Sequence, residues 1–148
     1  MSYEMGLYGL GVMGQNLALN VASKGFKIAV CNRSPGRVDS CVARAKAEEL
    51  ADNVGGFHKP EDFVASLKKP RRVMFLVKAG QAVDDTIALF AGLLERGDIM
   101  IDGGNEWYEN SERRGASLVD QGILYMAMGV SGGEEGARNG PSLMPGGP

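Results

Sequence analysis

Two hydrophobic rhythms alternate along this chain. Short unbroken apolar runs, the signature of strands buried on both faces, are separated by segments whose apolar residues recur at helical spacing. Met5 to Tyr8 is the first run, and the glycine-rich stretch Gly9-Leu10-Gly11-Val12-Met13-Gly14 follows it directly. A helix is predicted from near Val12, with Leu17 to Ala22 as its apolar-periodic part, and Gly25 ends it before a second strand from Lys27 to Cys31. Ser34-Pro35-Gly36 reads as a helix start, a cap candidate before a proline, and Val38, Val42, Ala45 and Leu50 carry that helix to about Glu49. Asn53 to Phe57 is a weak strand or loop, and Pro60-Glu61-Asp62 opens a short helix with Phe63, Val64 and Leu67 inward.

Arg72 to Val77 is the clearest buried run, broken at Gly80. Gln81 to Glu95 is a predicted helix with Val83, Ile87, Phe90, Leu93 and Leu94 on one face. Ile99 to Ile101 is a strand that ends in Asp102-Gly103-Gly104-Asn105. A polar helix capped by Asn110-Ser111-Glu112 is expected to reach about Gln121, and Ile123 to Met128 forms the last strand. The β-α-β-α alternation with short loops implies an α/β fold, a Rossmann-type doubly wound and mostly parallel sheet. Right-handed crossovers place the strand ends along one edge, where such sheets bind ligands. The glycine loop, Asn32-Arg33-Ser34, Val77-Lys78-Ala79-Gly80, Asp102 to Asn105 and Gly129-Val130-Ser131-Gly132-Gly133 should therefore converge there.

The first of these loops has a specific chemistry. Strand, G-x-G-x-x-G and helix within one βαβ length is the context of a dinucleotide fingerprint. Gly9 allows the sharp turn, Gly11 lets the backbone approach a pyrophosphate, and Gly14 lets the helix pack on the strand. The helix then points free N–H groups and its positive dipole end at the phosphates. The end of the second strand decides between cofactors. An NAD site places an acid there for the ribose 2′-hydroxyl, but Cys31-Asn32-Arg33-Ser34 has none before Asp39. An arginine fork instead suits the 2′-phosphate of NADP, at about 1.5–3 kcal/mol for a charge-assisted hydrogen bond. The competing reading is a surface arginine paired with Asp39 or Glu48.

Composition narrows the classes further. The chain has 148 residues, is 44% hydrophobic, and carries a formal net charge of −2, which suits one domain with a real core and offers no footprint for nucleic acid or an anionic membrane. No apolar run approaches the ~20 residues of a membrane span. The first residues, Met1-Ser2-Tyr3-Glu4, lack the pattern of a secretory signal, so a cytoplasmic protein is expected, with Cys31 and Cys41 as reduced thiols. His58 is the only histidine, so no histidine-rich metal site can be built.

The later loops make the chain resemble the 6-phosphogluconate dehydrogenases. The matching segments are Gly9 to Leu17, Asn32-Arg33-Ser34, Leu76 to Asp85, Ile101 to Asn105, Gly129 to Arg138 and Gly140 to Gly147. The last two are the most specific. Many members have Ala where this chain has Gly11 and Thr where it has Ser34, changes that keep small size and hydroxyl. The resemblance implies NADP-dependent oxidative decarboxylation of 6-phosphogluconate to ribulose 5-phosphate and CO₂. A base removes the 3-hydroxyl proton during hydride transfer, the 3-keto acid loses CO₂, and an acid protonates the enediol. It further implies that Gly9, Leu10, Gly11, Val12, Met13 and Gly14 hold the pyrophosphate and that Asn32, Arg33 and Ser34 take the 2′-phosphate end. Val77, Lys78 and Ala79 would line the adenosine and nicotinamide side, Asn105 would lie between cofactor and substrate, and Ser131, Gly132 and Gly133 would bind the sugar acid.

No lysine here (Lys24, Lys27, Lys46, Lys59, Lys68, Lys69 or Lys78) falls in the family's general-base motif. Residues 1–148 thus read as an NADP-binding domain that stops before a helical catalytic domain, through which the full-length enzyme would form a homodimer. No catalytic residue is assigned, and the isolated chain is expected to lack turnover. Residues 139–148 are expected to be mobile or displaced. Another β-hydroxyacid dehydrogenase and a stand-alone nucleotide-binding module are the rival readings.

Overall fold

The computed structural model describes residues 2–78, 80–104, 113–116, 118–131, 138–139 and 142–146, and for 129–131 and 142–146 the backbone only. Strands β1 (Met5–Tyr8), β2 (Ile28–Cys31), β3 (Val54–Phe57), β4 (Arg72–Phe75), β5 (Ile99–Asp102), β6 (Leu124–Ser131) and β7 (Ser142–Gly146) form one sheet in the order β3-β2-β1-β4-β5-β6-β7. Pairing is parallel from β3 through β6, and β7 runs antiparallel to β6. Helices α1 (Val12–Ser23), α2 (Pro35–Ala47), α3 (Pro60–Ala65) and α4 (Gln81–Ala91) cover the faces. The strand order reverses between β1 and β4, which makes the edge above these two strands the switch point of a doubly wound sheet.

Strand alternation explains why the runs are apolar throughout. Leu7, Ile28, Val30 and Met74 point to one face, where they pack with Leu17, Leu19, Val38 and Cys41 of α1 and α2. Their neighbours Tyr8, Ala29, Cys31, Val73 and Phe75 point to the other, against Phe63 of α3 and Val83, Ile87 and Phe90 of α4. Each strand therefore feeds two cores at once, as a parallel sheet covered on both faces requires. Gly6 admits Phe63 to the sheet, because a Cβ there would collide with the Phe63 ring.

Several elements differ from the sequence reading. Asn53 to Phe57, read as a weak strand or loop, contains a full strand paired residue for residue with β2. The helix expected to reach Glu95 ends at Ala91, followed by turns into β5. Ser34 occupies the N-cap of α2, but its hydroxyl makes no capping bond. The strand expected to end at Met128 continues to Ser131, so Gly129 to Ser131 belong to β6 rather than to a loop. The glycine- and proline-rich tail, expected to be mobile or displaced, instead supplies β7, whose Ser142 to Gly146 pair with Ser131 to Ala127. Backbone pairing with an adjacent strand overrides the poor strand propensity of that tail. Among the described residues, no helix is long and apolar enough to cross a membrane.

Candidate functional site

The glycine loop is shaped by backbone crowding. Gly9 has φ of 102°, a conformation that L side chains rarely adopt, and a Cβ there would run into the Leu76 carbonyl. At Gly14 a Cβ would strike the Gly9 carbonyl, so α1 can start this close to β1 only without a side chain. Gly11 differs, since a Cβ would meet only Arg37 Nη1, at 3.4 Å. The protein itself does not demand glycine there, and the space above it is open for a ligand. Gly11 is also the N-cap of α1, with no capping side chain and no acid in the first turn. The first-turn N–H groups, on exposed Val12, half-buried Met13 and buried Gly14, thus have no side-chain acceptor at the helix start.

Side chains behind the loop hold it in place. Asn32 Oδ1 accepts the Leu10 N–H at 2.7 Å, and Asn32 Nδ2 donates to the Ser34 carbonyl at 3.2 Å. Gln15 Nε2 donates to the Leu10 carbonyl at 3.0 Å. From α2, Arg44 donates to Asn16 Oδ1 at 2.8 Å and to Gln15 Oε1 at 3.4 Å. Leu10 is therefore fixed on both its backbone groups, and the loop is organised without a ligand.

A cleft of about 790 Å³ opens above the switch point, a volume in the range of small-molecule sites. Gly9, Leu10 and Gly11 form its floor, Asn32, Arg33 and Arg37 one side, and Leu76, Val77 and Lys78 the other. Ala82, Asp85, Thr86 and Leu89 of α4 close it beyond Lys78. Three predicted loops thus converge as expected. Arg33, Arg37 and Lys78 are exposed, while Asp85, the one acid among the described lining residues, accepts a bond from Gln81 at 2.9 Å. The cleft is cationic in a chain whose net charge is −2, which suits a phosphate ester. Asp39 bonds to His58 at 2.8 Å and Glu48 to Arg138 at 2.7 Å, so neither acid takes the Arg33 guanidinium.

Arg37 was not among the residues singled out from the sequence, because on a helical pattern it counts as one more solvent-facing cation. Its place in the first turn of α2, four residues after Arg33, is the signal that brings it to the same rim. Ala79, Asn105, Gly132 and Gly133 lie outside the described residues, and Ser131 is described only as backbone of β6. Burial pushes the thiols of Cys31 and Cys41 up to about 11, and both are unpaired. Burial, and secondarily the neighbouring Cys31, raises the Tyr8 phenol. Among the described residues no group of His, Cys, Asp or Glu is arranged to hold a metal.

The crowding at Gly14 gives an expected result. Gly14→Ala should destabilise the fold by about 1–3 kcal/mol, because backbone must move from backbone. Gly36→Ala, where a Cβ meets nothing within 4 Å, should be neutral or stabilising by up to about 1 kcal/mol. Urea midpoints of the two variants moving the same way by similar amounts would contradict the geometry.

Comparison with known proteins assigns this fold to a family. The family described as the NAD binding domain of 6-phosphogluconate dehydrogenase matches residues 4–148. The decarboxylating 6-phosphogluconate dehydrogenase 1 of Oryza sativa subsp. japonica is 64% identical over 144 residues, which cover 97% of this chain and 30% of the relative. A decarboxylating 6-phosphogluconate dehydrogenase of Chlamydia muridarum is 51% identical over 146 residues, covering 97% of this chain and 29% of the relative. A Plasmodium falciparum 6-phosphogluconate dehydrogenase, whose structures are described as apo, with its cofactor NADP+ and with its substrate 6-phosphogluconate, superposes with a TM-score of 0.93 at 54% identity, over 98% of this chain and 31% of that one. At 21% identity, a 3-hydroxyisobutyrate dehydrogenase of Mycobacterium tuberculosis shares the fold, with a TM-score of 0.83. The chain spans about 30% of the length of the curated relatives it matches. Matched over residues 4–148, the chain belongs to the family of NAD-binding domains of 6-phosphogluconate dehydrogenase.

Proposed function

We propose that this chain is the cofactor-binding part of a decarboxylating 6-phosphogluconate dehydrogenase, an enzyme that uses NADP to convert 6-phosphogluconate to ribulose 5-phosphate and CO₂. The observation that carries the cofactor choice is Arg33. It stands exposed on the cleft rim beyond the end of β2, with Arg37 beside it and no acid where a ribose 2′-hydroxyl would be bound.

The residues fit the group. The open space above Gly11 and the uncapped start of α1 suit a pyrophosphate. Leu10, Val12 and Met13 complete that cradle between Gly9 and Gly14. Arg33 and Ser34 take the 2′-phosphate, and Arg37 adds a second cation. Asn32, whose carboxamide is engaged with Leu10 and Ser34, contributes by holding the loop. In this reading the motif residues Val77, Lys78 and Ala79 serve the other half of the cofactor, Asn105 serves cofactor and substrate together, and Ser131, Gly132 and Gly133 serve the sugar acid, since residues of these types suit its carboxylate and hydroxyls. Bound NADP+ supplies the hydride acceptor, and the chain's own work is to orient it. The acid–base pair belongs to a helical domain of the full-length enzyme, which also joins the homodimer. The unpaired, buried thiols suit a reducing compartment, and we place the enzyme in the cytoplasm.

Calorimetric titration of the purified chain tests this reading. NADP+ should bind at least about tenfold more tightly than NAD+, the worth of one charge-assisted hydrogen bond. NADPH formation from 6-phosphogluconate should stay at the blank rate. Equal affinity for the two cofactors would sink the NADP assignment, and turnover above the blank would sink the division of labour.

A further inference from the structure

A set of polar side chains, buried except for the partly exposed Asp84, spans from the loop after β4 to the loop after β5. Arg114, only 3% exposed, lies in the helical segment 113–116. Its Nε donates to Asp84 Oδ1 at 2.9 Å and its Nη2 to the Gly80 carbonyl at 3.3 Å. Gly80 is the N-cap of α4 and ends the loop that carries Val77 and Lys78. On β6, the Tyr125 hydroxyl donates to Asp102 Oδ2 at 2.9 Å. The other oxygen of Asp102 accepts the Gly104 N–H at 2.9 Å, one residue before Asn105. Tyr125 and Asp102 are 5% and 1% exposed. Burial and the Asp102 carboxylate raise the Tyr125 phenol while the Arg114 guanidinium pulls it down, so both halves act on the same hydroxyl.

A charge placed at so little exposure is costly unless every partner is held, and removing one member leaves the rest unsatisfied. Packing alone does not call for an arginine here. What the arrangement does achieve is to fix the ends of two loops relative to each other. In the doubly wound order, the β1–β3 half takes one mononucleotide and the β4–β6 half the other. With Arg33 on the first half, these two loops belong to the nicotinamide half.

We propose that Arg114 and Tyr125 are positioning residues that lock the loops after β4 and β5 into the arrangement that receives the nicotinamide half of NADP. Neither touches the ligand. The proposal rests on the cofactor reading above, and the experiment separates the two.

The test compares NADP+ with adenosine 2′,5′-bisphosphate, which carries only the adenosine half. In Tyr125→Phe, NADP+ affinity should fall by about two- to thirtyfold, the span seen for residues that act at a distance, while adenosine 2′,5′-bisphosphate affinity stays within twofold. Arg114→Met should show the same split with a larger loss. If Arg114→Met does not fold, Tyr125→Phe, which keeps the ring, decides. Amide NMR resonances of Gly103 and Gly104 should shift in Tyr125→Phe while those of Gly9 and Gly11 stay. Loss of both ligands alike, or of neither, would overturn the positioning role and leave the cofactor reading intact. An unsubstituted chain that binds neither ligand would overturn the cofactor reading and the proposal with it.

Discussion

Arg33→Glu is expected to weaken NADP+ binding by about a hundredfold or more while changing NAD+ binding severalfold at most. Loss of a charge-assisted hydrogen bond to the 2′-phosphate costs about 1.5–3 kcal/mol, equivalent to about ten- to a hundredfold, and the new carboxylate adds repulsion. Arg33→Ala should show the first part alone. The preference is legible in what the guanidinium does not do: Asp39 is engaged by His58 and Glu48 by Arg138. Titrations with both cofactors at two salt concentrations check it, since an exposed ionic contact weakens as salt rises. Equal losses for NADP+ and NAD+ would show that Arg33 does not read the 2′-phosphate, and would shift that role to Arg37.

Phe90→Ala should produce the largest loss of stability, about 3–5 kcal/mol, against the 5–15 kcal/mol total typical of a folded domain. The Phe90 ring is fully buried, with its centroid 5.2 Å from that of Tyr8 and 5.9 Å from that of Phe63. Those three rings come from α4, β1 and α3, so the cavity would open where helices meet the sheet under the cleft. Phe90→Leu, which keeps most of the volume, should lose less than half as much. Urea unfolding of both variants checks the ranking. A loss below about 1 kcal/mol for Phe90→Ala would mean that the site collapses freely and that this face is not closely packed.

What the sequence reveals and what it hides divide along physical lines. Strands β1, β2, β4 and β5 are legible because a strand buried on both faces must be apolar throughout, and Leu7 and Tyr8 show why: neighbours serve opposite cores. The glycine loop and Arg33 are legible because one βαβ unit sets the ends of β1 and β2 side by side. Strand β7 is hidden, since nothing within Ser142 to Gly146 announces a strand, and its order comes from pairing with β6. Arg114 is hidden for a related reason. An arginine in a polar helical segment reads as solvated, and its burial is explained by the approach of Asp84 and the Gly80 carbonyl, thirty and more positions earlier. Asn32 is legible as a site residue, yet its bond to Leu10 shows a supporting task that spacing does not reveal.

The two outermost strands among the described residues carry a consequence for self-association of the chain in solution. A sheet's rim is a template on which a second molecule can add a strand. On one rim, β7 contains Pro145, which has no N–H to offer an incoming strand. On the other, β3 contains Gly55 and Gly56, residues with the weakest tendency to extend a ladder. The β6–β7 hairpin therefore does more than lengthen the sheet: it replaces an eight-residue rim with a shorter one interrupted by an imino acid. Among the described residues, both rims of this sheet are therefore poor seeds for fibrous self-association.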